Sequence, residues 1–220
     1  MPKFFETHRA TLDRALAAVA ARGYWSPYSE IPSGKVYGET AKADAEAAFK
    51  AQLGQPFALD QPHNGRRVGK EASPWGFALG ITYPAIGVAQ AVEASRAAGR
   101  GWAAAGIEER TGVCLEILHR LNKSSFLIAN AVQHTSGQSF PMAFQAGGPH
   151  AQDRGLEAVA YAFAEMTRVP GLARWEKPQG GGQDPIRMEK RWRVVPRGVG
   201  LVIGCSTFPT WNSYPGLFAS

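Results

Sequence analysis

Val195-Pro196-Arg197-Gly198-Val199-Gly200-Leu201-Val202-Ile203-Gly204-Cys205-Ser206-Thr207-Phe208-Pro209 is the stretch on which the reading of this chain turns. Pro196-Arg197-Gly198 has the composition of a turn, and Val199 to Ile203 is a short apolar run. Such a run suits a strand buried on both faces, as in a parallel sheet. One buried parallel strand cannot stand alone, so its partners are expected beyond Ser220. Small residues follow at what would be the carboxyl edge of the sheet, where α/β folds bind ligands and a bare backbone can come close to them.

Working back from that stretch, Pro178 to Pro185 is too rich in glycine, proline and glutamine to hold a regular element. Met188 to Val195 alternates loosely and reads as a strand. Upstream the pattern is helical. Phe5 to Arg22 carries Leu12, Ala15, Leu16 and Val19 at helical spacing, with Gly23 at its C-terminal cap. Thr40 is placed to cap a helix bearing Ala45, Ala48, Phe49 and Leu53, ended by Gly54. Pro84 suits the first turn of another with Ile86, Ala89 and Val92, interrupted by Gly99-Arg100-Gly101. A helix from Ile107 gathers Val113, Ile117, Leu118 and Leu121, with Cys114 and His119 near its buried edge. Phe126 to Val132 and Ala151 to Met166 complete the set, the latter turning Leu156, Val159, Ala160 and Phe163 inward. Tyr24 to Gly34 reads as an ordered loop and Phe57 to Tyr83 as a surface crossing without a period.

Composition narrows the function. Apolar residues make up 45% of 220, enough for a packed core. No apolar run approaches the ~18 residues that cross a bilayer, so no membrane is expected. The start lacks a secretory leader, and Cys114 and Cys205 form no disulfide framework, so the cytoplasm is the default. The net charge of +6 is mostly scattered. Its one local excess, Arg187 to Arg197, has only Trp192 to stack a base, which argues against nucleic acid. The five histidines show no metal-ligand spacing. Gly147-Gly148 and Gly180 to Gly182 neither follow a strand nor open a helix with Lys-Ser/Thr, so they are loops and not phosphate cradles. Trp102 and Trp192 are read as packing anchors.

Val195 to Pro209 resembles the aldehyde dehydrogenase superfamily, where a Pro-x-Gly-Val turn enters the first strand of the dinucleotide-binding domain and a Trp-Asn-Phe-Pro loop follows. The order of elements is similar across Ala85 to Pro209: Ala91 to Trp102, Glu109-Arg110, Leu115 to Leu121, Thr135-Ser136-Gly137-Gln138 and the helix around Ala158 to Tyr161. Arg22 to Tyr28, Val36 to Thr40 and Ser206 to Pro215 resemble a narrower phenylacetate-degradation branch, the PaaN type. The resemblance implies an α/β fold: a mostly helical region over 1–183, then a strand pair and the start of a dinucleotide-binding domain over 184–220. It implies NAD(P)-dependent oxidation of an aldehyde from aromatic-acid catabolism, carried as a coenzyme A thioester in some cases, by a homo-oligomer when full length. A cysteine thiolate would attack the aldehyde and hydride would pass to the nicotinamide. That cysteine and the general base would follow Ser220, so the 220 residues alone are expected to be inactive.

Within the chain, the resemblance makes Ile203, Gly204, Cys205 and Ser206 part of the cofactor floor and Thr207 the oxyanion donor. Asn212, in Trp211-Asn212-Ser213-Tyr214-Pro215, competes for that role. Phe208 and Trp211 either line the aldehyde tunnel or pack in the core. Cys205 invites a nucleophile's role, but its place at the end of the first strand favours a small buried residue. NAD and NADP are not separated, because the discriminating residue would follow a second strand. The rival reading is a non-catalytic helical interaction module or gene remnant.

Overall fold

In the computed structural model, residues 3–220 are described. They form nine helices and six short strands. The helices are α1 (Lys3–Ala21), α2 (Gly34–Tyr37), α3 (Ala41–Gln52), α4 (Val88–Ala104), α5 (Ile107–Lys123), α6 (Ser125–Ser136), α7 (Phe140–Gly147), α8 (Pro149–Thr167) and α9 (Pro209–Ala219). The strands are β1 (Arg67–Val68), β2 (Ala72–Ser73), β3 (Phe77–Ala78), β4 (Tyr83–Pro84), β5 (Leu172–Lys177) and β6 (Ile186–Arg191). They pair as three antiparallel ladders, β1–β4, β2–β3 and β5–β6. No helix among the described residues is long and apolar enough to cross a membrane.

The main core lies where the apolar stripes of α1, α5 and α8 meet. Phe5, Leu12, Leu115, Leu118, Leu156 and Val159 are buried there, and Tyr214 and Phe218 of α9 join them. Gly155 makes that junction possible. A Cβ on it would lie 2.8 Å from Leu118 and 3.0 Å from Phe218, so α9 can approach α8 only over a bare backbone. A second core joins α6 to α7 through Phe126, Ala129, Val132, Ala143 and Phe144, with Tyr37 edge-on to both phenylalanines. Gly137 ends α6 in the left-handed conformation, as its position in the sequence suggests.

Several expectations are corrected. Arg22, not Gly23, takes the left-handed position after α1, with φ 53°. The Gly23 amide bonds back to Ala18 O at 2.9 Å, which closes the last turn. Thr40 precedes α3 but its side chain makes no capping bond, because its backbone is already helical (φ −95°, ψ −8°). Ala48 is exposed. Pro84 pairs with Arg67, and α4 starts only at Val88. Gly99 and Gly101 do not break α4, since glycine weakens a helix without forbidding it. Phe57 to Tyr83 is more than a crossing, because Leu79 and Ile81 are buried against Phe49 as a third core. Ile117 and His119 face solvent on α5. Trp102 and Trp192 are 40% and 55% exposed, so neither is a buried anchor.

The strand expected over Met188 to Val195 starts and ends earlier, as β6. Its partner is β5, and this ladder spans residue 183. Arg187 meets Glu176 at 3.1 Å across it, so the basic cluster is partly neutralised by its own hairpin. Val199 to Ile203 joins no ladder among the described residues. It runs beside α9 with Val202 against Gly216, while Leu201 and Ile203 are 84% and 81% exposed. The run is therefore covered on one face and open on the other.

Candidate functional site

The turn from Gly204 to Phe208 carries the chain from the extended segment into α9. Pro209 stands at the first helical position, where its missing N–H costs nothing. The turn is tight. A Cβ on Gly204 would sit 2.1 Å from Ser213 Oγ and 3.2 Å from Pro209 O, so glycine lets the turn close against the first turns of α9 with the Ser213 hydroxyl where it stands. Pro215 lies inside the same helix, which therefore runs from Pro209 through it. Two contacts with the elements beside it hold α9 in place. Thr210 Oγ1 donates to Gly147 O at 2.8 Å, and the guanidinium of Arg154 lies 5.0 Å over the Trp211 ring.

Cys205 is exposed, not buried as its small size suggested. Donors surround its sulfur. Asn212 Nδ2 donates at 3.1 Å and the Phe208 amide at 3.4 Å, with Thr207 Oγ1 at 3.2 Å. These contacts hold the thiol below its ordinary pKa, the Thr207 hydroxyl contributing most and the Phe208 amide next. Cys114, half-buried on α5, is pushed the opposite way by burial.

Among the residues singled out from sequence, the fold gathers Cys205, Thr207 and Asn212 into one cluster. Ile203 stays outside it, pointing to solvent. Gly204 and Ser206 are exposed on the same turn. Phe208 and Trp211 lie 6.2 Å apart ring to ring, Phe208 half-buried and Trp211 37% exposed. Reading the sequence did not foresee Gln138 or Arg154. Gln138 Nε2 donates to the Thr207 carbonyl from 69 residues away, and its Oε1 is buried without a partner. The signal for Gln138 was present, since it closes the Thr135 to Gln138 turn. No local pattern marks Arg154.

A helical body that delivers an extended segment to a glycine turn at the foot of a helix belongs to the α/β class. Solved structures say which member of that class. The chain matches an NAD-dependent aldehyde dehydrogenase from Burkholderia multivorans with TM-score 0.94 and 59% identity, over 99% of this chain and 39% of that one. It also matches a Delta-pyrroline-5-carboxylate dehydrogenase from Mycobacterium tuberculosis with TM-score 0.52 and 19% identity, over 70% of this chain and 31% of the other. A 1-pyrroline-5-carboxylate dehydrogenase from Thermus gives 0.50 and 14%, a likeness of fold alone. No family model and no curated protein matches. The fold is that of the aldehyde dehydrogenase superfamily, of which this chain spans 39% of the Burkholderia relative's length.

Proposed function

We propose that this chain is part of an NAD-dependent aldehyde dehydrogenase. The observation that carries the reading is 59% identity along almost the whole chain to an enzyme of that activity. When bound, NAD supplies the hydride acceptor. The residues fit one wall of such a site. Gly204, Cys205 and Ser206 form an exposed turn of small side chains beside the N-terminus of α9, which admits a flat or anionic group to the backbone. The chain's share of the work is to shape that wall and to orient a donor. The substrate is an aldehyde of aromatic-acid catabolism, on the strength of the Tyr24 to Tyr28 and Ser206 to Pro215 motifs. The location is the cytoplasm and the assembly a homo-oligomer.

Thr207 is the oxyanion donor in this reading. What supports it over Asn212 is the start of α9 at Pro209, which keeps Thr207 in the turn and puts Asn212 in the helix. Asn212 also spends its amide inward, on Cys205 Sγ and on Phe208 O at 3.2 Å. A hydroxyl offers one donor where an amide offers two, so in this reading the Thr207 proton lies on Cys205 in the free chain and turns to the oxyanion when substrate is bound.

The reading frame beyond the Ser220 codon is the first test: a cysteine-bearing catalytic domain is expected there. The protein from that frame should reduce NAD with aromatic aldehydes. Absence of turnover across aromatic and aliphatic aldehydes would refute the proposal. In that protein Thr207→Ala should lower kcat about 100-fold and leave the KM for NAD unchanged. A loss of that size in Asn212→Ala alone would move the role to Asn212. The 220 residues by themselves should turn over more slowly than ~1 per second.

A further inference from the structure

At the C-terminal end of α8 lies a cavity of about 390 Å³, within the size range of ligand pockets. Its walls are the α4–α5 junction from Ala103 to Ile107, the end of α8 with Val169 to Gly171, and Trp192 to Val194 leaving β6. The charged lining residues are Arg110 and Arg193, and no carboxylate is among them. Glu108 and Glu109 of the same α5 turn are exposed and do not line it.

Arg110 is the anomaly. Among the described residues it makes no ion pair. Its one hydrogen bond runs from Nη2 to Met166 Sδ at 3.6 Å, and a thioether is a weak acceptor. Its Nε is buried with no acceptor at all. A buried donor left unpaired is expensive, and such groups are rare without a role. Arg193 reaches the cavity from the other side and is held by donating to Ala103 O at 2.9 Å. The rest of the lining is largely apolar, with Ile107, Met166, Val169 and Trp192.

We propose that this cavity binds a small organic carboxylate, the anionic end on the Arg110 guanidinium and the hydrocarbon body against Trp192 and Val169. A guanidinium presents a planar fork that a carboxylate matches bidentately. The apolar walls select for a ring or short chain over an inorganic anion. The same carboxylate could be a free acid or an aspartate or glutamate of a longer form of this protein. The inference does not depend on the enzymatic reading.

The test is calorimetric titration of the full 220-residue chain with benzoate, acetate, phosphate and benzylammonium. Benzoate should bind best, acetate and phosphate more weakly, and benzylammonium not at all. Arg110→Met should weaken benzoate at least ~10-fold, the value of one charge-assisted pair. Arg110→Lys should lie between, since it keeps the charge and loses the fork. If Arg110→Met fails to fold, Val169→Trp fills the cavity and should abolish binding with Arg110 in place. A longer form that refuses benzoate, while the 220-residue chain accepts it, assigns the carboxylate to the protein's own side chain. Benzoate that does not bind, binds equally to Arg110→Met, or binds no better than benzylammonium overturns the proposal.

Discussion

The side-chain amide of Asn212 donates to the sulfur of Cys205 across 3.1 Å, linking the first turn of α9 to the turn before it. With the Thr207 hydroxyl and the Phe208 amide, it favours the thiolate over the thiol. Thr207→Val should therefore raise the Cys205 pKa, and Asn212→Ala should raise it by less, since Thr207 contributes most. The rate of alkylation by iodoacetamide against pH reads this directly, with Cys114 replaced by alanine. Unchanged midpoints in both variants would mean that the donors do not bear on the thiol.

A second prediction concerns Asp153 of α8, which accepts a hydrogen bond from Ser26 in the loop after α1. Burial pushes its carboxyl up from 3.8 to about 6, against the opposing pull of Ser26. The folded chain thus holds a proton that the unfolded chain has released between those values. Stability from this group is present at low pH and falls as pH rises through that window. Asp153→Asn should remove the penalty, adding about 1–2 kcal/mol at pH 7 after allowance for partial exposure, and little at pH 4. Urea unfolding at the two pH values measures it. A variant less stable at pH 7 would show that the Ser26 bond outweighs the burial.

The long amphipathic helices were legible because their stripes are strong. Leu12 and Ala15 of α1, and Leu156, Val159 and Ala160 of α8, are buried as their spacing requires. The elements missed lack such a stripe. α7 is short, begins with Phe140-Pro141 and ends in Gly147-Gly148, so its composition reads as loop while Ala143 and Phe144 are buried by tertiary contact. β5 is exposed along its whole length and carries no alternation to detect. At the site, Gly204, Cys205 and Thr207 are adjacent in sequence and easily seen together. Gln138 and Arg154 reach the same place only because the α6–α7 turn meets Thr207 and α8 packs against α9, which no local pattern encodes.

Arg22 offers a test of local strain. It occupies the left-handed position after α1, where a Cβ is unfavourable by roughly 1–2 kcal/mol. Arg22→Gly should relieve that, offset by glycine's greater freedom in the unfolded chain, for a net gain of about 0.5–1 kcal/mol. Denaturant midpoints at unchanged m-value would show it. A destabilised Arg22→Gly would mean that the arginine side chain makes a contribution larger than its backbone strain.

Gly204 and Ser213 test the turn itself. Gly204→Ala would place a methyl 2.1 Å from Ser213 Oγ, a distance that no real pair of such atoms adopts, so the hydroxyl must leave its bond to Pro209 O or the turn or α9 must shift. Overpacking of this kind costs about 1–3 kcal/mol. The hydroxyl is the obstacle, because the next neighbours are Pro209 O at 3.2 Å and Ser213 Cβ at 3.5 Å. Ser213→Ala removes that oxygen and loses only a local bond back to Pro209 O, so alone it should cost less than about 1 kcal/mol. In the double variant the methyl fits with a small adjustment, and most of the Gly204→Ala loss should return. The two changes are thus strongly coupled, with an interaction energy of about 1–2 kcal/mol measurable by a double-mutant cycle. Alkylation of Cys205 in the same four proteins separates turn from helix. The single Gly204→Ala variant should raise the thiol pKa slightly as Asn212 moves away, by less than Thr207→Val does, and the double variant should restore it. Additive stabilities with an unchanged thiol in all four would show that Gly204 is not needed for the close approach of the turn to α9.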